Sequence, residues 1–210
     1  MSDLRRLLIE SATRMGVSPS DDQCLSVLKY IIILNKWNQR INLTGTRDDR
    51  EILGLHVLDS LAVVPHIPAD ASSLIDVGSG AGLPGAVIAI FRPDLHIIAL
   101  EPIRKKQAFL SSLRRELGLS QFQPLARRVE EHRDRPEFSP VDAAVSRATW
   151  PVDEWLEIGA TLVRDGGVVL GMEGASPRHL PAEASRHPYD IEDRTRSVVV
   201  YRPARVDGST

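Results

Sequence analysis

The chain lacks the residues and patterns that several classes of protein require. Its 210 residues include one cysteine, Cys24, which excludes an internal disulfide, a thiolate zinc site and dithiol redox chemistry. No apolar run approaches the roughly 20 residues that span a bilayer, and the first residues have no signal-peptide pattern. Aromatic residues make up only 5% of the chain, fewer than the stacking surfaces of single-strand nucleic-acid binders need. These absences predict a cytoplasmic protein with no membrane contact.

Neither sign of charge is in large excess. The 26 basic and 28 acidic residues give a formal net charge of −2. A protein that binds nucleic acid mainly by neutralising phosphates is usually basic overall, so RNA binding here requires a local basic face. Hydrophobic residues make up 42% of the chain, as in folded domains, which excludes global disorder. No strip of exposed apolar residues stands out, and we expect a monomer.

Helical patterns occupy the N-terminal third of the chain. The apolar spacing of residues 4–12 predicts one helix. Ser20 and Gln23 have the spacing of a capping box, which predicts a second helix up to Gln39. A third helix is expected over residues 51–64. We therefore predict a helical N-terminal extension at residues 1–68.

From residue 73, short apolar runs alternate with helical stretches. The predicted strands are Leu74–Val77, His96–Leu100, Phe122–Ala126, Val141–Val145, Val168–Met172 and Ser197–Tyr201, and the predicted helices are Pro84–Ile90, Arg104–Leu117 and Val152–Val163. This alternation predicts a doubly wound α/β domain at residues 69–204 with a mostly parallel sheet. The last strand has no helix before it, so we expect it to pair antiparallel at an edge. Residues 205–210 are expected to form a short disordered tail.

Three glycines at alternate positions follow the first predicted strand. They are Gly78, Gly80 and Gly82, at the carboxyl end of the strand, where open α/β sheets bind ligands. Glycine is needed where the backbone takes a positive φ or where a ligand touches the main chain. A dinucleotide-binding loop would have a further glycine where this chain has Leu83. The loop therefore favours a ligand other than a dinucleotide.

Two acidic residues indicate which ligand that is. Asp76 precedes the loop, and a carboxylate there would repel a pyrophosphate but attract the ammonium group of S-adenosylmethionine. Glu101 closes the second predicted strand, where it would accept hydrogen bonds from both ribose hydroxyls. The alternative is a tight turn whose glycines serve packing only. Because both acids and the glycines occur together, we predict an S-adenosylmethionine site.

Further segments carry a family resemblance. They are Leu34–Asn38, Asn42–Thr44 with Arg47, His56–Ser60, Asp76–Gly85, Lys105–Lys106 with Phe109–Leu110, Arg128–Glu131, Ser146–Ala148 and Arg196–Val200. Over about residues 25–204, the chain resembles the glucose-inhibited division protein B family, the ribosomal RNA small-subunit methyltransferase G enzymes. The resemblance implies a class I S-adenosylmethionine-dependent methyltransferase with a Rossmann-like fold. It also implies methyl transfer to N7 of a guanosine in 16S ribosomal RNA, either free or within the small ribosomal subunit. Loss of such enzymes is associated in the family with low-level streptomycin resistance.

The resemblance implies roles for individual residues as well. Gly78 and Leu83 would line the methionine end of the cofactor. Val129 and Glu130 would hold the adenine. Arg147 would lie at the mouth of the cofactor site and face the substrate, and its place directly after an apolar strand favours that role.

Two other residues are candidates on the substrate side. His56 has Asp59 one helical turn away, which would orient it toward the mouth, although a histidine among apolar neighbours more often serves packing. Arg47 would either contact a phosphate or solvate its loop. No metal-binding residues are predicted.

The chemistry of N7 fits a chain without an evident acid–base pair. Guanine N7 has an in-plane lone pair and no proton, so methylation requires alignment rather than a general base. Cytosine C5 methylation ordinarily uses a cysteine nucleophile, and Cys24 lies far from the glycine loop in the sequence. Enzymes that methylate exocyclic adenine amines typically have an Asp/Asn-Pro-Pro-aromatic segment after the fourth strand. This chain has Ser146–Ala148 at that place.

The chain departs from the family pattern at two positions where the family usually has a cation. They are Leu55, just before the histidine, and Glu173, after the fifth predicted strand. These departures leave open a small-molecule methyltransferase on the same fold. A cofactor-binding assembly factor without turnover also stays open, as does, more distantly, a dehydrogenase. If the substrate is RNA, a Glu173→Lys substitution is expected to speed methylation.

Overall fold

The computed structural model describes residues 2–174, 176–191 and 193–204. Its N-terminal part consists of α1 (Ser2–Arg14), α2 (Asp21–Asn38) and a helix in three sections, α3 (Asp49–Ile52), a π-helix (Leu53–Leu58) and α4 (Asp59–Leu61). At the start of α2, the Ser20 side chain accepts a hydrogen bond from the Gln23 amide at 3.2 Å, and the Gln23 side chain accepts one from the Ser20 amide at 2.8 Å. The predicted capping box is confirmed.

The rest of the described chain forms one sheet with helices on its faces. The strands are β1 (Ser73–Val77), β2 (His96–Leu100), β3 (Phe122–Leu125), β4 (Val141–Arg147), β5 (Val163–Glu173), β6 (Ala184–Ile191) and β7 (Arg194–Tyr201), and the helices are α5 (Gly85–Phe91), α6 (Arg104–Leu117), α7 (Val129–Arg133) and α8 (Val152–Ala160). The seven strands lie in the order β3-β2-β1-β4-β5-β7-β6. β1 to β5 are parallel, and β7 is antiparallel to both of its neighbours. The prediction of a doubly wound, mostly parallel α/β domain is confirmed.

The last predicted strand pairs antiparallel, as expected, but it does not lie at an edge. β6 pairs along its full length with β7 and is itself the edge strand. Sequence analysis missed β6 because the strand contains Pro188 and buries only Ile191, so it has no apolar alternation. Edge strands tolerate both features, since one side of their backbone pairs with no other strand.

The N-terminal helices and the sheet share one apolar cluster. α2 contributes Tyr30 and Leu34 to the same cluster as Leu74 of β1 and Phe109 of α6. A second cluster lies on the other face of the sheet, where α8 contributes Trp155. No helix within the described residues is long and apolar enough to cross a membrane. The predicted tail at 205–210 lies outside the described residues.

Candidate active site

The glycine loop is held in place by a buried carboxylate at the end of β1. Asp76 is fully buried, and its Oδ2 accepts hydrogen bonds from the Ser79 hydroxyl at 2.5 Å and the Gly85 amide at 3.0 Å. The side chain thus ties the end of β1 to the start of α5. Burial raises the pKa of Asp76 to about 6, although both hydrogen bonds oppose this change. Its Oδ1 is buried and has no hydrogen-bond partner among the described residues.

A second carboxylate joins this loop to the end of β2. Glu101 is only 4% exposed. One of its oxygens accepts a hydrogen bond from the Gly80 amide, and the other accepts one from the Ile103 amide, both at 2.9 Å. Each carboxylate oxygen keeps a lone pair after these bonds. Glu101 therefore shapes the loop and retains the capacity to accept hydrogen bonds from a ligand.

The three glycines of the loop differ in what a side chain at each position would contact. A Cβ on Gly78 would lie 2.3 Å from Oγ1 of Thr149, and one on Gly82 would lie 3.0 Å from Cβ of Ala86. Gly80 has a φ of +54°, and a Cβ there would meet only the Gly78 carbonyl oxygen, at 3.7 Å. Of the three, only Gly80 faces open space. It is therefore the glycine whose surface is free for a ligand.

Arg147 lies at the carboxyl end of β4, where Asp59 at the start of α4 binds it. Nη1 of Arg147 is 3.1 Å from Oδ2 of Asp59, which is fully buried. The other oxygen of Asp59 accepts a hydrogen bond from the Tyr189 hydroxyl at 2.9 Å and forms an ion pair with Nη1 of Arg196 at 2.8 Å. One carboxylate therefore connects the N-terminal extension to β4, β6 and β7, and it holds two guanidinium groups.

His56 belongs to the π-helix and lies beside this cluster. Its Nδ1 is 3.5 Å from Nη1 of Arg147. Burial, assisted by the charge of Arg147, lowers the pKa of His56 to about 4. The imidazole is therefore neutral at pH 7, and its ring nitrogen can accept a hydrogen bond from the guanidinium. π-Helical turns are frequent at functional sites.

The other predicted residues lie in separate places. Leu83 is 2% exposed and packs in the core, so its side chain does not contribute to the loop surface. Val129 is buried and Glu130 is exposed, both in the first turn of α7, which follows β3. Arg47 is exposed and donates to the Asn38 carbonyl oxygen at 3.3 Å, in the loop between α2 and α3. Among the substrate-side candidates, the structure brings together His56 and Arg147.

Three side chains to which the sequence analysis gave no role connect the elements around the site. The Tyr30 hydroxyl of α2 donates to the Ala81 carbonyl oxygen of the glycine loop at 2.9 Å. Asn38 is 3% exposed and bonds five backbone or side-chain groups of the loop at 43–46. Arg196 shares Asp59 with Arg147. No local pattern marks these residues, because their partners are distant or are backbone atoms.

The two departures from the family pattern have different surroundings. Leu55 is half-buried within the π-helix. The Glu173 side chain is 4% exposed and 2.6 Å from Nε of Arg186. It also accepts a hydrogen bond from the Arg178 amide at 2.7 Å. Glu173 is therefore a buried partner of Arg186, and not a free acid at the surface.

Comparisons with known proteins identify the family of this chain. The model of the GidB family, described as rRNA small subunit methyltransferase G, matches residues 23–200. The protein named ribosomal RNA small subunit methyltransferase G in Burkholderia multivorans is 39% identical over 176 residues, which cover 83% of this chain and 77% of that protein. Its namesake in Methylobacillus flagellatus is 41% identical over 165 residues, 79% of this chain and 78% of that protein.

Solved structures of methyltransferases have the same fold. The O-methyltransferase TomG of Streptomyces achromogenes, in complex with SAM, aligns with a TM-score of 0.56 and 15% identity over 89% of this chain and 92% of its own. An O-methyltransferase of Bacillus cereus, in complex with SAH, gives a TM-score of 0.58 and 15% identity over 88% and 92%. The predicted class I methyltransferase fold is confirmed. With a family match over most of its length, the chain belongs to the rRNA small subunit methyltransferase G family.

Proposed function

We propose that this protein transfers a methyl group from S-adenosylmethionine to N7 of one guanosine in 16S ribosomal RNA. The observation that carries the proposal is the position of Arg147. It lies at the carboxyl edge of the sheet, next to the strand that bears the glycine loop, and Asp59 holds it in place. An arginine fixed at this edge suits a polar nucleotide presented to the loop.

The residues at the loop fit the proposed methyl donor. Oδ1 of Asp76 is buried and has no hydrogen-bond partner among the described residues, so it can accept a hydrogen bond from the ammonium group. The open surface at Gly80 leaves space for the rest of the S-adenosylmethionine molecule. Glu101 has lone pairs left for ribose hydroxyls. Val129 and Glu130 are proposed for the adenine, as the resemblance implies. Leu83 would contribute only main-chain atoms, since its side chain is in the core.

The bound donor supplies a methyl group on a sulfonium, and the carbon–sulfur bond breaks as the carbon–nitrogen bond forms. Because N7 carries no proton, this chain's residues need to position the base and exclude water. Neutral His56 and charged Arg147 together offer one acceptor and several donors at the mouth. A guanine edge has acceptors at N7 and O6, and an arginine that donates to O6 would leave N7 free for the methyl group.

The experiment that tests the proposal uses small ribosomal subunits from cells that lack this gene. Purified protein and labelled S-adenosylmethionine are added, and N7-methylguanosine is mapped in the 16S RNA. We expect one methylated guanosine, absent from the untreated subunits. Label transfer to a metabolite but not to RNA would support a small-molecule methyltransferase. Stable binding to subunits without transfer would support an assembly factor.

The proposal extends to the setting of the enzyme. An enzyme that modifies ribosomal RNA works where ribosomes assemble, which places this protein in the cytoplasm. We propose a monomer, since the large apolar side chains exposed among the described residues are only Leu25, Ile32 and Ile103. Sedimentation at micromolar concentration tests the oligomeric state.

A further inference from the structure

A cleft lies around the carboxyl end of β5, apart from the glycine loop. Its walls include three arginines, Arg186 of β6 and Arg194 and Arg196 of β7. Two acids, Glu173 and Asp193, line the same cleft. The chain has a net charge of −2, whereas guanidinium groups outnumber carboxylates in the lining of this cleft. Its ligand is therefore expected to be an anion.

One of the two acids is already neutralised by an arginine. Glu173 accepts hydrogen bonds from Nε and Nη2 of Arg186 at 2.6 and 3.3 Å. Nη2 of Arg186 also donates to the Arg178 carbonyl oxygen at 2.7 Å. Within the described residues, Nη1 of Arg186 makes no hydrogen bond. Glu173 thus holds the guanidinium of Arg186 in place, and Nη1 remains able to donate to another acceptor.

Arg196, which lines the cleft, is linked to Arg147 through Asp59. Arg196 shares the carboxylate of Asp59 with Arg147, so two guanidinium groups face one buried negative charge. The register of the strands places both arginines at one edge. Met172 of β5 lies opposite Arg147 on one side, and Glu173 lies opposite Ser197 on the other. Arg196 therefore lies just beyond the end of β5.

Arg194 differs from the other two arginines of the cleft in its contacts. It is exposed and begins β7, two residues before Arg196, so the two side chains project from the same face of the strand. Among the residues that the structure describes, it forms no ion pair or side-chain hydrogen bond. Its planar guanidinium can therefore bind two oxygens of one phosphate without first breaking a contact with a described residue.

We propose that this cleft binds a phosphate of the RNA backbone beside the nucleotide that is presented to Arg147, with Arg194 as a direct ligand of the phosphate. This inference rests on the proposed function. It adds the site that holds the substrate strand, which the methyl-transfer residues do not provide. It also explains how a chain of slightly negative net charge binds RNA. The basic groups that bind are gathered at one edge of the sheet.

The test compares Arg194→Gln with a matched control, Arg115→Gln. Arg115 is exposed near the end of α6 and also forms no ion pair within the described residues. The KM for undermethylated subunits is measured, and binding of 16S RNA is measured between 50 and 300 mM salt, which span about 0.8 logarithmic unit of salt concentration. S-adenosylmethionine affinity and thermal stability are measured for each variant. A third variant, Arg194→Lys, restores the charge.

We expect Arg194→Gln to raise the KM for the RNA substrate by about tenfold and to reduce the salt slope by about 0.7–1, the effect of losing one phosphate contact. Cofactor affinity and melting temperature should stay unchanged, and Arg194→Lys should recover the slope. An Arg194→Gln variant with the KM and slope of Arg115→Gln would overturn the inference. If Arg194→Gln lowers the slope of RNA binding but the wild type methylates no guanosine, the proposed function fails and the phosphate site stands.

Discussion

The carboxylate of Asp59 lies 3.1 Å from the guanidinium of Arg147, a residue 88 positions further along the chain. The same carboxylate binds Arg196 and the Tyr189 hydroxyl. The N-terminal helices therefore supply the anion that holds Arg147 and Arg196 at the carboxyl edge of the sheet. A buried ion that is hydrogen-bonded on both oxygens holds its partners rigidly.

Replacing Asp59 by Asn is expected to destabilise the protein by about 3–5 kcal/mol, because two guanidinium groups lose their buried partner. Methylation should fall further than stability explains, since Arg147 would no longer be held. Urea unfolding and a methylation assay measure both effects. The control is Tyr189→Phe, which removes one hydrogen bond to the same carboxylate and should cost about 0.5–1.5 kcal/mol. Equal losses in the two variants would contradict this interpretation.

The low pKa of His56 predicts a pH dependence of stability. The folded-state pKa is about 4, whereas the ordinary value is 6.5, so the unfolded chain binds a proton first as the pH falls. His56 therefore contributes stability above pH 6.5 that is lost as the pH falls toward 4. Asp76 acts in the opposite direction, because its pKa is raised from 3.8 to about 6 and its stabilising contribution is lost as the pH rises through that value.

The His56→Gln variant separates these two contributions. As the pH falls from 7 to 4.5, it passes through most of the interval between the two pKa values of His56. Over this range, wild type should lose more unfolding free energy than His56→Gln loses. Urea titrations at several pH values measure it. A difference that does not change with pH would show that His56 titrates normally in the folded protein.

Two glycines near the loop are expected to respond differently to alanine. Gly80→Ala should fold with a cost of about 1–2 kcal/mol, because its φ is positive but a Cβ has space. It should weaken S-adenosylmethionine binding by about tenfold, or 1.4 kcal/mol, since the methyl group covers the open surface of the loop. Calorimetric titration with the cofactor measures this.

The comparison variant is Gly85→Ala. There, a Cβ would lie 2.4 Å from Oδ2 of Asp76, so the clamp that joins β1 to α5 must move. We expect a loss of about 1–3 kcal/mol of stability from this overpacking. If Gly80→Ala binds the cofactor like wild type, the ligand does not lie over that part of the loop.

Tyr30→Phe tests the support that α2 gives to the glycine loop. Removing the hydroxyl leaves the carbonyl oxygen of Ala81 without its partner, which should cost about 0.5–1.5 kcal/mol and weaken cofactor binding several-fold. The matched control is Tyr201→Phe, since the hydroxyl of Tyr201 forms no hydrogen bond within the described residues. Identical cofactor affinities in the two variants would show that the loop is rigid without Tyr30.

Glu173→Lys is expected to slow methylation and destabilise the protein, the reverse of what the sequence alone predicts. The substitution places an ammonium group against Arg186 in a site that is 4% exposed, where breaking the buried pair costs about 3–5 kcal/mol. Glu154→Lys, an exposed change on α8, is the control and should be nearly neutral. Faster methylation by Glu173→Lys would show that the pair with Arg186 is dispensable.

Much of the fold follows from local sequence pattern. The predicted bounds of β2 and α6 coincide with the observed ones, His96–Leu100 and Arg104–Leu117, because the first is an apolar run and the second has a regular apolar stripe. The five residues of α7 escaped notice, since one turn rich in charge has no period. The π-helix was predicted only as part of a helix, because nothing in its composition distinguishes i→i+5 from i→i+4 bonding.

The candidate site was predictable only in part. The glycine loop with Asp76 and Glu101 is contiguous or falls at strand ends, so its location follows from topology. The arginines that pair with Asp59 and Glu173 could not be located in this way. Arg196 and Arg186 lie on the β6–β7 hairpin, and their pairing with distant carboxylates depends on a strand that the sequence did not reveal.

The π-helix at Leu53–Leu58 changes the direction in which the side chains of α4 point relative to those of α3. A π turn holds about one residue more than an α turn, so Ile52 can face the core while Asp59 faces the arginines. If the same residues formed a regular α-helix, the extra residue would rotate Asp59 by roughly 100° relative to Ile52. The π turn therefore keeps Asp59 in contact with Arg147 and Arg196, which a regular α-helix over the same residues would not do.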